Sequence, residues 1–278
     1  MLQKFKVHNF KNFKNDLEID FSDVNGYKFS QDCITNDLIG KMIIYGKNGS
    51  GKTNLGYALC DLKAILGFSP EINTLHSFIS NADSDSDITT FTYTFLFNQK
   101  KDTAVYEYSK SDMVNLVSEK LSVNNHVLYE YDFKENAFIT VDSDYFHNND
   151  IYSIYQSSTN SSLPFLRWCV NNGSVDKDSI FHKIYNYGSK ITQIFTPTTA
   201  AVRLTKNELD VLDKNVKELE NFLVYMGIDC KLTMEKLPDG TKELYFVFKN
   251  RKVSFLENAS SGTLSLFNFY IHFLMPHK

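Results

Sequence analysis

The residues best suited to chemistry in this chain are the glycines, lysines and hydroxyl side chains of the stretch YGKNGSGKTN, which begins at Tyr45. From Gly46 to Thr53 it fits the pattern G-x-x-x-x-G-K-[ST] without a mismatch. Glycines let successive backbone N–H groups turn toward one anion, where any Cβ would collide. The lysine and hydroxyl at the end of the pattern suit phosphates and Mg²⁺. The stretch therefore predicts a binding site for a nucleoside triphosphate.

The elements on either side of this stretch are those that a phosphate site requires. The run Met42–Tyr45 is apolar and does not alternate, which predicts a strand buried on both faces. Apolar residues then recur at helical spacing from Leu55 to Leu66, and Gly67 ends the pattern. The N-terminus of that helix would direct its positive dipole end at the phosphates.

The predicted ATP ligands are the residues of the loop and of the first helical turn. Lys52 is expected to reach the β- and γ-phosphates, and the Thr53 hydroxyl is expected to bind Mg²⁺. Lys47 is expected to face solvent, and the residue types alone assign no role to Asn54. The full set is Gly46, Lys47, Asn48, Gly49, Ser50, Gly51, Lys52, Thr53 and Asn54.

Composition and charge narrow the class of protein. The chain has 278 residues, 42% of them hydrophobic and 22% charged, so a sizeable core can form. The formal net charge of −4 argues against a general nucleic-acid coat protein, although a local basic patch remains compatible with it. The acidic stretch 81–87 lacks the spacing of a calcium loop and is predicted to be a solvated connector.

Cysteine usage and hydropathy predict a cytoplasmic protein without a membrane segment. Lysines interrupt the N-terminal stretch, so it does not read as a signal peptide, and no apolar run approaches the roughly 18–20 residues of a membrane helix. The four cysteines lie far apart without a C-x-x-C pair, which indicates reduced thiols. They are Cys33, Cys60, Cys169 and Cys230.

A coarse reading predicts an α/β fold with an antiparallel β region. Leu2–His8 and Leu17–Phe21 alternate and are expected to pair as an antiparallel ribbon. Between Ile88 and Thr140 the pattern is a succession of strands rich in aromatic residues. These aromatics could stack on bases, but their period of two favours a sheet with one buried face.

A helical region follows, and the chain then returns to strands. Thr205 with Glu208 predicts a capping box, and Gly227 predicts the C-cap of the same helix. Asp239-Gly240 predicts a hairpin, and a last helix is expected from Thr263 to Leu274. The predicted division is a nucleotide-binding lobe at 1–155, a helical lobe at 156–227, and a return hairpin with the last helix at 228–278.

Three segments in this order resemble the ABC-class ATPases of the RecF, SMC and OLD group. They are FKVHNFKNFKN, IIYGKNGSGKTNLGYALCDL and FLENASSGTLSLF. More narrowly, the chain is similar to the AAA family ATPases of bacterial anti-phage operons. The resemblance covers nearly the whole chain and implies a P-loop NTPase of the ABC-head type, with ATP and Mg²⁺ as cofactors.

The resemblance also implies a second phosphate contact, at Ser260, Ser261 and Gly262 of the signature SSGTL. In this group the signature binds the γ-phosphate of ATP held by another subunit, and free N–H groups at a helix N-terminus suit that role. Read without the family, the same residues are a loop with a helix N-cap. A glutamine at the helical lobe contacts Mg²⁺ and water in the group. Gln156 lies near that position, although a surface role suits it better.

Family members carry an apolar strand ending in Asp-Glu after the signature helix, and this chain has no such string. The catalytic residues are therefore unknown. Three expectations stay open: a truncated product, a site completed by a separate polypeptide, or a binding module without turnover. The chain also lacks a central strand of the expected sheet, so part of its core would be exposed or covered by a partner.

The leading hypothesis is an ATP-binding subunit or fragment that regulates a defence effector, such as a nuclease or toxin, through nucleotide-dependent dimerisation. Its partner would be itself or a complete homologous ATPase. One alternative is a DNA-repair or chromosome-type ATPase that clamps nucleic acid; its basic patch would be Lys4, Lys6, Lys11 and Lys14. Another is a regulatory decoy of a complete ATPase that does not hydrolyse ATP.

Overall fold

The computed structural model describes residues 1–67, 79–97, 102–146, 150–158, 163–191 and 206–274. The chain divides into two compact units. The first, the sheet unit, comprises Met1–Ile43, Asn54–Asn81 and Ser86–Gln193. The second, the hairpin unit, comprises Ile44–Thr53, Ala82–Asp85 and Ile194–Lys278. Helices of the predicted lobe at 156–227 occur in both units, and the predicted domain boundaries stay a prediction.

The sheet unit is built around a seven-stranded sheet with the order β2-β1-β5-β6-β7-β8-β9, in which each neighbouring pair is antiparallel. Two short strands, β3 and β4, form a separate hairpin. The strands are β1 Leu2–His8, β2 Leu17–Asp20, β3 Ile34–Thr35, β4 Leu38–Ile39, β5 Thr89–Phe97, β6 Asp102–Lys110, β7 Leu116–Val123, β8 His126–Asp132 and β9 Ala137–Val141. The helices of this unit are α1 Lys52–Ile65, whose first two residues belong to the hairpin unit, α2 Asp150–Ser157, α3 Phe165–Asn171 and α4 Ile180–Lys190.

The alternating pattern of the sequence produces this sheet. The predicted ribbon of β1 and β2 is confirmed, with Phe5 paired to Ile19. Along β5 and β6 every second side chain is buried, as expected when one face of a sheet packs on a core. The aromatics therefore pack on one another, and the interpretation as a buried sheet face is confirmed. Those fully buried are Phe5, Phe91, Tyr93, Phe95, Tyr106, Tyr108, Tyr129 and Tyr131.

A buried carboxylate joins this sheet to α3. Glu119 of β7 accepts the backbone N–H groups of Phe165 and Leu166 at 2.5 and 3.1 Å. It also accepts the hydroxyls of Tyr106 and Tyr129 at 2.9 and 2.7 Å. The first N–H groups of a helix have no partner within the helix, so Glu119 satisfies two of them. Burial raises the pKa of Glu119, and the four hydrogen bonds oppose that rise.

The hairpin unit packs helices on a small three-stranded sheet. The strands are β10 Leu232–Lys236, β11 Lys242–Val247 and β12 Lys252–Ser254, and the helices are α5 Lys206–Lys214, α6 Val216–Tyr225, α7 Phe255–Asn258 and α8 Ser261–Leu274. Its core includes Leu212, Leu219, Leu223, Phe255 and Phe267, all fully buried.

The predicted continuous helix before Gly227 is wrong, because α5 and α6 are separate helices. Asn215 interrupts them: its side chain donates to the carbonyl of Val211 at 2.7 Å and competes with the helical ladder. The predicted end is confirmed by Gly227, which has a φ of 85° and donates its N–H to Val224. The predicted cap at Thr205 lies outside the described residues.

The predicted hairpin at Asp239-Gly240 is confirmed. β10 and β11 pair in antiparallel register, Gly240 has a φ of 86°, and Asp239 accepts the N–H of Thr241 at 2.9 Å. The acidic stretch is more than the predicted connector, because it binds the turn after β11. Asp83 accepts the N–H of Lys249 at 2.6 Å, and Asp85 pairs with the Lys249 amine at 3.2 Å.

Two further expectations concern the whole chain. All four cysteines are free thiols, as predicted. Within the described ranges, the structure contains no helix that combines the length and apolar character needed to cross a membrane.

Candidate functional site

The loop Gly46–Thr53 runs into the N-terminus of α1, as predicted. The N–H of Ser50 donates to the carbonyl of Lys47 at 3.3 Å and closes a turn. Gly49 and Gly51 have φ values of 76° and 91°, which residues with a Cβ rarely adopt. A Cβ on Gly46 would lie 3.1 Å from the Ser50 hydroxyl. The loop thus depends on its glycines, and its exposed backbone can approach an anion closely.

Lys52 lies across the inside of this loop. Its amine donates to the carbonyls of Gly46 and Lys47 at 2.8 and 2.7 Å. These two hydrogen bonds place a positive charge where the glycine backbone turns. A phosphate at the same place would accept charge-assisted hydrogen bonds from that amine, which are stronger than those to neutral carbonyls. The loop therefore fits the phosphates of a nucleotide.

The remaining loop residues are placed as follows. Lys47 is exposed, as expected, and Thr53 is exposed in the first turn of α1, where its hydroxyl is accessible to a metal. Among the described residues no three His, Cys, Asp or Glu side chains form a metal cluster, so Thr53 remains the candidate ligand for Mg²⁺. Asn54 donates to the side-chain oxygen of Asn12 at 2.8 Å. Sequence reasoning missed this partner, which links the turn after β1 to α1.

The predicted strand Met42–Tyr45 is wrong. These residues form no strand, and their exposed fractions are 45%, 88%, 43% and 90% from Met42 to Tyr45. A strand buried on both faces needs hydrogen-bonded neighbours, and no strand in the described part of the chain pairs with this segment. The phosphate loop is therefore preceded by an exposed apolar segment.

The signature residues open α8. Ser260 is the residue before this helix, and its hydroxyl accepts the N–H of Thr263 at 3.1 Å and contacts the Thr263 hydroxyl at 2.8 Å. This is the geometry of an N-cap, which was the alternative reading of these residues. Ser261 is exposed, and Gly262 is partly buried.

Gly262 and the phosphate loop meet within the hairpin unit. A Cβ built on Gly262 would lie 2.4 Å from the side-chain amide carbon of Asn48 and 2.6 Å from its oxygen and nitrogen. Real Cβ atoms do not approach that closely, so a side chain at this position would have to displace the exposed amide of Asn48. Within one chain the signature turn therefore contacts the phosphate loop, although the resemblance implies a signature that serves ATP held by another subunit.

With the loop, its lysine and the signature turn defined, comparison with known families decides the assignment. The family model described as "AAA domain, putative AbiEii toxin, Type IV TA system" matches residues 41–278. The chain belongs to this AAA family. No curated protein matches the chain. AAA domains are P-loop NTPases, so the prediction of an α/β P-loop fold is confirmed at that level, and the family is associated with abortive infection and toxin–antitoxin systems.

The suggested basic patch of this AAA domain is largely neutralised. Lys4 pairs with Asp20 at 2.7 Å and with Glu18 at 3.6 Å, and Lys6 pairs with Asp16 at 3.6 Å. Lys11 is buried, and burial lowers its pKa to about 8. Lys14, the fourth lysine of the suggested patch, is exposed, and ion pairs or burial involve at least three of the four lysines.

The side chain of Gln156 is hydrogen-bonded within the sheet unit. Gln156 lies in α2, and its side chain donates to the carbonyl of Asn136 at 3.1 Å, while the Asn136 side chain donates to the carbonyl of Gln156 at 3.3 Å. This exchange holds α2 against the turn between β8 and β9. Gln156 was expected at the surface, and it is partly buried in a helix.

Sequence reasoning also missed a buried polar group on α1 of the AAA domain. Asp61 is buried and pairs with the amine of Lys110 at 3.0 Å. Two signals were present in the sequence: Asp61 follows Ala58 on the apolar helix face, and Lys110 continues the buried alternation of Tyr106 and Tyr108. A charge at each of two predicted core positions indicates a buried pair.

Proposed function

We propose that this chain is an ATP-binding domain of a defence ATPase, in which Mg·ATP held by the loop Gly46–Thr53 controls an effector such as a nuclease or toxin. The observation that carries the proposal is the loop itself. Two glycines in the left-handed region expose its backbone, and Lys52 directs its amine inward. The helix dipole of α1 adds to this positive potential.

The proposed activity of this chain is nucleotide binding. We assign the phosphates to Lys52 and the loop, and we assign Mg²⁺ to Thr53.

Titration calorimetry with Mg²⁺ and a slowly hydrolysed ATP analogue tests the binding proposal. A charge-assisted contact contributes about 1.5–3 kcal/mol, so Lys52→Ala should weaken binding by roughly 10- to 100-fold. Lys47→Ala is the matched control, because Lys47 is exposed in the same loop and should matter little. Unchanged affinity in folded Lys52→Ala would overturn the assignment.

Assembly is the second part of the proposal. We propose that nucleotide drives association with a second copy or with a complete homologous ATPase, and that Ser261 of one chain meets the nucleotide of the other. In the free chain Gly262 contacts Asn48 of its own loop. The signature turn and the loop must therefore separate before the turn can serve a partner's nucleotide.

Sedimentation with the ATP analogue distinguishes the two arrangements. If the turn serves a partner, Ser261→Arg abolishes nucleotide-dependent association and leaves the affinity of the isolated chain unchanged. If it serves its own loop, Ser261→Arg weakens binding by the isolated chain, and the proposed exchange between subunits is wrong. Ser265→Arg is the matched control, because Ser265 is exposed one turn later on α8.

The nucleic-acid alternative receives less support. A DNA clamp needs several cations free for phosphates, and such contacts make binding strongly salt-dependent. The ribbon lysines Lys4 and Lys6 already face carboxylates. A regulatory decoy would bind nucleotide in the same way, but its partner would be a complete ATPase. Co-purification with a complete homologue would therefore favour the decoy alternative.

A further inference from the structure

One turn of α1, Ala58–Leu62, is held by three buried polar side chains of the sheet. Tyr93 comes from β5, and Tyr108 and Lys110 come from β6. Together with Asp61 of α1 they form what we term the α1 clamp. All four side chains are nearly or fully buried. Buried polar groups are costly unless each finds partners, so such a cluster requires an explanation.

The first contact of the clamp involves the helix backbone. The Tyr93 hydroxyl donates to the carbonyl of Ala58 at 2.9 Å and accepts the N–H of Leu62 at 3.3 Å. These two backbone groups are four residues apart and bond each other in a regular α-helix. The hydroxyl therefore contacts both members of one backbone pair of α1.

The second contact fixes a side chain of the same turn. Asp61 accepts the Tyr108 hydroxyl at 2.8 Å and the Lys110 amine at 3.0 and 3.2 Å. Burial raises the pKa of Tyr93 and of Tyr108 well above the ordinary value, so both hydroxyls remain protonated. Lys110 also lies 5.9 Å from the centre of the Phe91 ring.

These contacts constrain α1 in a way that its apolar contacts cannot. Leu55, Ala58 and Leu62 are buried in the same core, but apolar burial is non-directional and tolerates sliding along the helix axis. Hydrogen bonds weaken steeply with distance and angle. Lys52, the first residue of α1, precedes the clamped turn by roughly 9–15 Å of rigid helix. A shift at the clamp would therefore move Lys52.

We propose that Tyr93, Tyr108, Lys110 and Asp61 are positioning residues for the nucleotide loop. They set the axial position of α1, and thus the place of the Lys52 amine. This inference rests on the proposed nucleotide binding. Stability alone does not explain the clamp, because replacing a buried ion pair with apolar residues is often neutral or stabilising.

Two variants remove the clamp and keep the fold. Tyr93→Phe deletes one oxygen, and the carbonyl of Ala58 and the N–H of Leu62 still have each other as helical partners. The triple variant Asp61→Leu/Tyr108→Phe/Lys110→Met removes both charges together, and it also removes the Tyr108 hydroxyl, which would otherwise lose its acceptor on Asp61. Tyr106→Phe is the matched control, because its hydroxyl is equally buried on β6 but bonds Glu119 and not α1.

The test is calorimetry with Mg²⁺ and a slowly hydrolysed ATP analogue, alongside thermal unfolding. We expect Tyr93→Phe and the triple variant to lose about 3- to 10-fold in affinity, the equivalent of about one hydrogen bond, without a lower Tm. Tyr106→Phe should bind like the wild type. A purely structural role would instead lower Tm and leave the affinity unchanged.

Three results would overturn the inference. One is wild-type affinity in both clamp variants. Another is an equal loss in Tyr106→Phe, which would indicate general softening of the sheet. The third is equal nucleotide affinity in the wild type and in Lys52→Ala. That result would refute the proposed nucleotide binding itself. Because Lys52→Ala is measured before any clamp variant, failure of the proposed function is distinguishable from failure of the clamp inference.

Discussion

Two stretches of this chain suggest strands from their apolar content and have opposite fates. In β5 the side chains of Phe91, Tyr93 and Phe95 are fully buried. In the run Met42–Tyr45 the side chains of Ile43 and Tyr45 are 88% and 90% exposed. β5 has hydrogen-bonded neighbours on both sides, β1 and β6, whereas the other run has none among the described strands.

The difference shows that apolar residues form a strand only where backbone partners exist. β6 follows β5 closely in sequence and pairs with it over nine residues, from Thr89–Lys110 to Phe97–Asp102. An extended backbone without neighbours leaves its N–H and C=O groups to water. The run Met42–Tyr45 has the composition of a central strand, but it is exposed and has no hydrogen-bonded neighbour among the described strands.

Truncating one apolar side chain in each stretch should change the unfolding free energy by very different amounts. Phe91 stacks on Tyr108 at 5.1 Å and contacts Phe10 at 5.5 Å, so Phe91→Ala should cost about 3–5 kcal/mol of unfolding free energy. Ile43→Ala should change it by less than about 0.5 kcal/mol. Urea unfolding measures both. Similar costs for the two variants would mean that the run is buried in solution.

Buried polar groups of the sheet unit provide the next test. Burial lowers the pKa of Lys11 from 10.5 to about 8. Below pH 8 both states are protonated, and between about 8 and 10.5 the unfolded chain binds more protons. The unfolding free energy should therefore rise with pH across that window, by up to about 3 kcal/mol.

Replacing the lysine isolates this effect. In Lys11→Met the rise between pH 8 and 10.5 should disappear, while Lys14→Met, at an exposed position of the same turn, should keep it. Urea unfolding at several pH values measures the unfolding free energy of each protein. In the difference between wild type and variant, the titration of other groups cancels. A wild type and a Lys11→Met variant with parallel pH profiles would show that Lys11 is solvated in the folded chain.

The smallest effect concerns local turns, which do not depend on distant partners. Gly240 has a φ of 86° with no atom within 4 Å of a built Cβ, so Gly240→Ala should cost about 1–2 kcal/mol from backbone strain alone. Gly56→Ala is the matched control: its Cβ also meets open space, in a helix, so it should stabilise by about 0.5–1 kcal/mol. Thermal unfolding measures both. A stabilised Gly240→Ala would contradict the turn geometry.

Features set by residues close in sequence could be predicted, whereas features that depend on distant partners could not. The glycine loop that runs into α1, the β10–β11 hairpin at Asp239-Gly240 and the alternation of β5 depend on residues close in sequence, and the structure contains all three. That the loop binds phosphates stays a prediction. The interruption at Asn215 was missed because a side chain that bonds the backbone outweighed a continuous apolar stripe. The contact between Asn48 and Gly262 joins residues more than 200 positions apart, and no spacing rule predicts it.

The α1 clamp was missed for a related reason. Alternation places Tyr93 and Tyr108 in the core, but it does not show what their hydroxyls contact. Each hydroxyl finds a partner on α1, an element separated from the strands in sequence. Patterns of apolar residues predict burial, whereas the partners of buried polar atoms follow only from tertiary packing.

Hydrogen exchange of the loop amides tests the central claim, nucleotide binding at Gly46–Thr53, most directly. In the free protein these exposed N–H groups should exchange quickly, and Mg²⁺ with a slowly hydrolysed ATP analogue should slow them in the wild type. The fully buried strand β5 should be protected in both conditions. Lys52→Ala should lose most of the nucleotide-dependent protection. Loop amides that exchange equally fast with and without nucleotide, or equal protection in Lys52→Ala, would contradict it.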